Sequence, residues 1–355
     1  MSQKFGIFKI SHLNKIRIRT VLFIGIFWTA IDLVIFLLNQ PPQSHLHSIW
    51  TRELFMFLVS LGMGYLFVYR LKRMLRNSPL WLNFFVKSSI LLLSALILTF
   101  IIRFFSSVVL QGESAYETYQ HLQNYALFGN WLLKKIVYWI AIFFVTQLIL
   151  IINEKYSPGV FFEILAGKYL HPRVEDRIIM FIDLKDSTPI AEKLGHSVYF
   201  QFIREFIYLV SLAIIEFEGT IYQYVGDEIV CSWKNSEKNT SKCLDVVIES
   251  RKNIQKKSAY FKRRFGIVPE FRVGINVGEV TVGEIGVLKK DLAMSGDTMN
   301  TTARIRSACN ELNHHFIVSK EFVEASKLKG WQTQSLGLID LKGKDRSVEL
   351  FSLKI

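Results

Sequence analysis

The chain has 355 residues, half of them hydrophobic and 14% aromatic, with 29 Phe, which excludes a disordered or fibrous protein and is unusual for one soluble domain. Its net charge of +13 is uneven: residues 1–152 carry 14 Lys/Arg against 4 Asp/Glu, while residues 153–355 carry 29 against 26. The excess lies beside hydrophobic stretches, so it does not indicate a nucleic-acid partner. Three cysteines, all in the second half, exclude a disulfide framework and suit a reduced compartment.

Four apolar stretches occupy the first half: Val21–Leu38, Leu54–Tyr69, Ser88–Ile102 (extendable through Phe105) and Ile136–Ile152. A bilayer core needs about 20 helical residues, so each suffices once its flanks are counted. A four-helix membrane bundle over residues 1–152 is expected, in contact with lipid. Lys4, Lys9, Lys15, Arg17 and Arg19 precede the first span, and Arg70, Lys72, Arg73 and Arg76 join the second to the third. Of basic residues the loop after the first span has only Arg52, and the loop after the third has Arg103 with Glu113 and Glu117, with Lys134 and Lys135 directly before the fourth span. Both termini are therefore expected on the cytoplasmic side of the cell membrane. A cleaved signal peptide is disfavoured, because Asn39-Gln40-Pro41-Pro42 offers no small-residue cleavage site.

Asp32 lies inside the first span. An Asp there costs about 3 kcal/mol on the insertion scale. The 13 Val, Leu, Ile and Phe residues of the span more than offset this, at about −0.3 to −0.6 kcal/mol each. Asp32 should face other helices or water. A structural hydrogen bond to a neighbouring Ser or Thr is expected, with proton, ion or ligand sensing as the functional alternative. Lys87 is expected to snorkel to the interface. His45, His47 and His121 read as solvated loop residues, with metal binding as the alternative. Tyr116, Tyr119 and Tyr125 suggest an interfacial helix.

From Asn153 the composition changes. Ser157-Pro158-Gly159 reads as a helix start and Val160–Leu170 as a short amphipathic helix, within a coupling segment spanning 153–174. A soluble domain then covers 175–355. Its expected elements are a strand at Arg177–Leu184, a helix at Ser197–Glu216, a hairpin of Thr220–Val225 and Glu228–Trp233, and a basic helix to about Arg264. They continue with a second hairpin of Phe271–Val277 and Thr281–Val287, a helix at Thr298–Asn310, and strands at Phe316–Ser319 and Glu349–Leu353. This pattern predicts an α+β sandwich with helices on one face of a mostly antiparallel sheet.

Two carboxylates follow apolar strands: Asp183 in Phe-Ile-Asp-Leu-Lys-Asp-Ser-Thr, and Asp227 in Tyr-Val-Gly-Asp-Glu-Ile-Val. Brought together on adjacent strands, they would hold Mg²⁺ ions bridging a nucleotide's phosphates. The turn after Asp183 leads into a helix at Ser187 and Thr188, whose free backbone N–H groups suit a triphosphate. Further on, Asn300 and Arg304 stand at i and i+4, one amide and one fixed cation on a single helical face.

Taken with Gly226-Asp227, Arg272-Val-Gly-Ile-Asn-x-Gly-Glu, Val282-Gly283, Gly-Asp-Thr-x-Asn-x-x-x-Arg at 296–304 and Leu341-Lys-Gly-Lys344, the chain from about 175 to 355 resembles the class III nucleotidyl cyclases. The resemblance implies an α+β, ferredoxin-like catalytic domain that converts ATP, or GTP, into a 3′,5′-cyclic nucleotide and pyrophosphate. It implies that Asp183 and Asp227 bind two Mg²⁺ or Mn²⁺ ions, that Asn300 orients the ribose, and that Arg304 neutralises charge at the α-phosphate. Leu184, Ser187 and Thr188 would line the phosphates, and Lys342 or Lys344 would contact the terminal ones. The resemblance also implies a head-to-tail homodimer, with Asp183 and Asp227 from one subunit and Asn300 and Arg304 from the other.

Three positions depart from the family pattern. The base-selecting positions, commonly Lys with Asp or Thr in adenylate cyclases and Glu with Cys in guanylate cyclases, hold Gln223 and Ala293. Asp186 stands in the phosphate loop where a small residue is common. These departures motivate a second reading, a nucleotide-binding relay without turnover. A third reading comes from Gly226-Asp227-Glu228, which resembles the Gly-Gly-Asp-Glu-Phe turn of diguanylate cyclases. Val225 and the Asn300/Arg304 helix speak against it.

Overall fold

The computed structural model describes residues 11–39, 46–71, 74–75, 78–105, 107–108, 112, 114–120, 131–155 and 160–355, apart from 289, 327, 329–331, 345 and 355. His45, His121, Tyr125 and the Ser157-Pro158-Gly159 helix start lie outside the described residues, as does the side chain of His47. Two compact units emerge, one of Asn14–Lys155 and one built on Tyr156–Ile355.

Among the described residues the first unit holds four long helices, α1 (His12–Asn39), α2 (Leu46–Tyr65, continued as a π-turn through Leu71), α3 (Leu80–Phe105) and α4 (Trp131–Lys155). Each contains one of the apolar stretches read from the sequence. By length and composition His12–Leu38 and Arg52–Leu71 are able to cross a membrane, whereas the apolar cores Trp81–Ile97 and Ile136–Ile152 are shorter. Trp28, Met56, Leu91, Trp139 and Phe143 form the buried centre, and Trp28 Nε1 donates to Thr146 Oγ1 at 2.9 Å. Asp32 is buried, but its partner is Arg52, not a Ser or Thr. Arg52, read as a loop residue, lies on α2, pairs with Asp32, and also donates to Glu53 at 2.9 Å. A buried carboxylate takes a full counter-charge in preference to a neutral hydroxyl. Tyr116 and Tyr119 are exposed on a short helical stretch at 115–120.

In the second unit α5 (Val160–Leu165) ends five residues earlier than expected, because the chain turns at Gly167, with φ 73°. The turn lets Tyr169 bury beside Ile164 and donate to Glu163 at 2.9 Å. The elements that follow are β1 (Arg173–Leu184), α6 (Ser187–Leu194), α7 (His196–Glu216), β2 (Thr220–Val225), β3 (Glu228–Lys234), α8 (Glu237–Lys256), α9 (Ser258–Phe265), β4 (Phe271–Ile285), β5 (Asp291–Ser295), α10 (Asp297–Glu311), β6 (Phe316–Ser319), α11 (Lys320–Ala325), β7 (Gln332–Ile339) and β8 (Val348–Lys354). The sheet order is β2-β3-β1-β4-β6-β8-β7, with β5 paired to β4. Its first four strands are antiparallel neighbours. With α7 between β1 and β2 and α8 between β3 and β4, they make the ferredoxin-like βαββαβ unit. Of the remaining pairings only β4 with β6 is parallel.

Strand β1 is buried on both faces, as its unbroken apolar run requires. Ile178, Met180, Ile182 and Leu184 pack with Phe202, Phe206, Val210 and Val247 of α7 and α8. Ile179 and Phe181 face Tyr169, Val280 and Met294. Helices cover both faces of the sheet, a correction to the one-sided layering expected, because α10 packs opposite α7 and α8. The second predicted hairpin is also corrected: Phe271–Ile285 is a single strand that runs through Gly278 and pairs with β1 and then with β5. A Cβ at Gly274 would lie 2.5 Å from the Arg306 nitrogen, and one at Gly278 would lie 2.7 Å from Thr298 Oγ1. Both glycines sit on one face of β4, so their missing side chains form the seat of α10. Gly278 serves close packing and not a turn.

Candidate active site

Antiparallel pairing of β1 and β3, with Ile182 opposite Ile229, sets Asp183 next to Glu228 across the strands. Asp227 occupies the two-residue turn between β2 and β3. Gly226 precedes it at φ 63°, the left-handed conformation that a turn of this kind demands at its first central residue. The two carboxylates predicted from the sequence therefore come together at one end of the sheet. Burial raises the Asp183 pKa above the ordinary aspartate value; Arg306 opposes the rise, and the charge of Asp227 adds to it. Burial likewise raises Glu228, again against Arg306.

Arg306, which the sequence reading did not single out, lies 3.2 Å from Asp183 Oδ2 and 2.7 Å from Glu228 Oε2. Asn300 and Arg304 do not join this cluster. Two residues of helix turn through about 200°, so Arg304 points away from the side that carries Arg306. Asn300 is exposed, and Arg304 Nη1 donates to the Gly343 carbonyl at 3.0 Å. Within one chain the carboxylate pair and the amide–guanidinium pair are thus presented on different sides.

Leu184 is buried at the end of β1, and Ser187 and Thr188 open α6. Asp186 sits between them with φ 56° and ψ 37°, a left-handed conformation, and its side chain caps nothing. Gln223 is exposed on β2. Its neighbour Tyr222 accepts a hydrogen bond from the Met294 nitrogen at 3.0 Å, which ties β2 to the strand carrying Ala293. Lys344 pairs with Asp297 at 2.5 Å, whereas Lys342 is exposed in its turn with no ion pair among the described residues. All three cysteines are buried and free, and burial pushes the Cys309 thiol up to about 12, so none is a nucleophile.

Among the described residues no three His, Cys, Asp or Glu side chains close around a metal. An open pair of carboxylates nevertheless fits Mg²⁺ or Mn²⁺, which take one or two carboxylates and fill their remaining positions with phosphate oxygens and water. Asp227 Oδ2 is buried with no hydrogen-bond partner, an arrangement that suits a cation ligand.

Residues 170–354 match the family described as the adenylate and guanylate cyclase catalytic domain, and the chain belongs to it. Adenylate cyclase 2 of Rhizobium meliloti (strain 1021) is 28% identical over 207 residues, covering 58% of this chain and 57% of that protein. The adenylate cyclase of Anabaena cylindrica is 24% identical over 216 residues, covering 57% of this chain and 42% of that protein. The chain thus spans about half the length of these relatives. A bacterial light-regulated adenylyl cyclase structure shares the fold, with a TM-score of 0.53 and 17% identity over 61% of this chain and 64% of that one.

Proposed function

We propose that the chain is a membrane-anchored nucleotidyl cyclase, acting on ATP in preference to GTP, whose sites form between two copies. The observation that carries this reading is the division of the site residues. Asp183 and Asp227 meet at the ends of β1 and the β2–β3 turn, while Asn300 and Arg304 lie on the side of α10 turned away from them. A second copy, docked head to tail, brings the missing half to each carboxylate pair and yields two equivalent sites. The exposed Val287 and Leu288 at the β4–β5 connection supply apolar surface for such an association.

In this site Asp183 and Asp227 hold the cations, and the first turn of α6 receives phosphate oxygens on the N–H groups of Ser187 and Thr188. Bound there, the two divalent ions supply Lewis acidity that lowers the pKa of the ribose 3′-hydroxyl and screens the triphosphate. Asn300 orients the ribose so that the 3′-oxygen lines up with the α-phosphorus. Arg304 stabilises the negative charge that grows there as the bond to pyrophosphate breaks. Lys342, exposed and without an ion pair among the described residues, is the lysine suited to the terminal phosphates, since Lys344 is engaged by Asp297. Gln223 donates and accepts hydrogen bonds and so can read either purine, and Ala293 adds no discrimination, so the preference for ATP rests on the adenylate cyclase relatives and not on these two positions. In this reading helices α1–α4 anchor the chain in the bilayer, and the basic residues that flank them support a catalytic domain on the cytoplasmic side.

The test is product identification. The full chain in detergent with Mn²⁺ should convert ATP to 3′,5′-cyclic AMP with one pyrophosphate released per ring closed, and GTP more slowly. Nucleotide binding without a cyclic product would support the relay reading that Ala293 and Asp186 motivate, and a linear dinucleotide product would support diguanylate cyclase chemistry.

A further inference from the structure

Seated on Gly274 and Gly278, α10 delivers a guanidinium to the carboxylate cluster. Arg306 spans Asp183 and Glu228, and all three side chains are less than one-quarter exposed. The contact with Glu228 is close, with Arg306 Nε 2.7 Å from Glu228 Oε2, but poorly aligned for a hydrogen bond. Arg306 therefore acts here as a counter-charge and not as a geometrically locked fork. The other nearby guanidinium, Arg272, is engaged with Asn310. Three acids, Asp183, Asp227 and Glu228, thus lie within electrostatic reach of one another, and Arg306 directly contacts two of them, Asp183 and Glu228.

Asp183 Oδ2 cannot serve Arg306 and a divalent ion at full strength together, because the two cations repel across a part-buried carboxylate. The helix has little freedom to retreat, since its backbone rests directly on Gly274. The side chain is the part that moves.

We propose that Arg306 is an internal counter-cation of the metal site: it occupies Asp183 in the cation-free chain, withdraws when a divalent ion binds, and so raises the ion concentration the chain requires. The inference rests on reading Asp183 and Asp227 as the metal-holding pair. Apparent affinity for the ion is scaled by the fraction of molecules in which Asp183 is released. Neutralising Arg306 removes that factor and the repulsion, so binding should tighten by roughly ten-fold.

The experiment titrates Mn²⁺ alone into the full chain in detergent and counts the free ion by electron paramagnetic resonance, without nucleotide or turnover. Arg306→Gln should bind Mn²⁺ about ten-fold more tightly than wild type, and Arg306→Lys, which keeps the charge, should remain within a few-fold of it. In an Asp183→Asn background, where no carboxylate at 183 is left for Arg306 to occupy, Arg306→Gln should tighten binding by less than it does in wild type. Equal affinity in wild type and a folded Arg306→Gln chain, with Asp183→Asn weakened, overturns the counter-cation while leaving the metal pair standing. Unweakened binding by Asp183→Asn overturns the metal pair itself and the inference with it. A measurement that needs no variant is the crystal structure of the wild-type chain with and without Mn²⁺. Arg306 should leave Asp183 when the ion is bound, and a guanidinium still 3.2 Å from Asp183 beside the ion overturns the proposal.

Discussion

Arg304 donates to the carbonyl of Gly343 at 3.0 Å, so the Leu341–Lys344 loop fixes the guanidinium proposed to stabilise the transition state. Gly343 has φ 74°, and a Cβ there would lie 3.2 Å from Arg304 Nη2. Gly343→Ala should therefore strain the turn and displace the guanidinium together. Turnover should fall roughly ten- to hundred-fold with little change in nucleotide KM, because the loss is confined to positioning. Steady-state kinetics with Mn²⁺–ATP checks the split.

Gly274 meets the backbone of α10 at a distance no side chain tolerates. Gly274→Val should destabilise the catalytic unit by about 1–3 kcal/mol, the usual cost of overpacking, and lower its urea midpoint. Activity should be lost more steeply than stability, because α10 carries both Asn300 and Arg304. An unchanged midpoint would mean that α10 does not rest on this strand.

Asp186 adopts a left-handed conformation beside the proposed phosphate site. Asp186→Gly should relieve about 1 kcal/mol of backbone strain, an Asp tolerating this region better than most side chains. The same change removes a negative charge next to the triphosphate, so nucleotide KM should fall. Thermal unfolding and initial rates report the two effects separately.

Lys185 donates to the Glu270 carboxylate at 2.9 Å and lowers its pKa below the usual glutamate value. A folded-state pKa below the unfolded one stabilises the fold at pH above the unfolded value, and the contribution is lost as pH falls through the folded value. Glu270→Gln should therefore cost a few tenths to about 1 kcal/mol at pH 7, the modest range for a well-exposed pair. The difference from wild type should vanish in urea titrations run well below pH 4.

The sequence carried the strand ends and the hairpin turn because each is a local signal. An unbroken apolar run ending in Asp183, and Gly226-Asp227 between two alternating strands, need no tertiary information. From sequence alone Gly278 reads as a turn, because glycine inside a strand pattern carries two meanings and only the approach of Thr298 from α10 selects between them. Strands β5 and β7 escaped notice because Asp291–Ser295 and Gln332–Ile339 lack a strong alternation of apolar residues. Arg306 is not legible in the sequence for a different reason. The motif drew attention to Arg304, and which of two arginines spaced by 200° faces the carboxylates depends on how the helix is seated. The Asp32–Arg52 pair required knowing that α2 begins before its apolar stretch.

The shared site is tested most directly by complementation. Asp183→Ala and Arg304→Ala chains should each be inactive when expressed alone. Co-expressed, they should recover roughly a quarter of wild-type specific activity, since about half of the dimers pair unlike chains and each of those holds one intact site. No recovery, with mixed dimers demonstrated by differential tags, would contradict a site built from two copies.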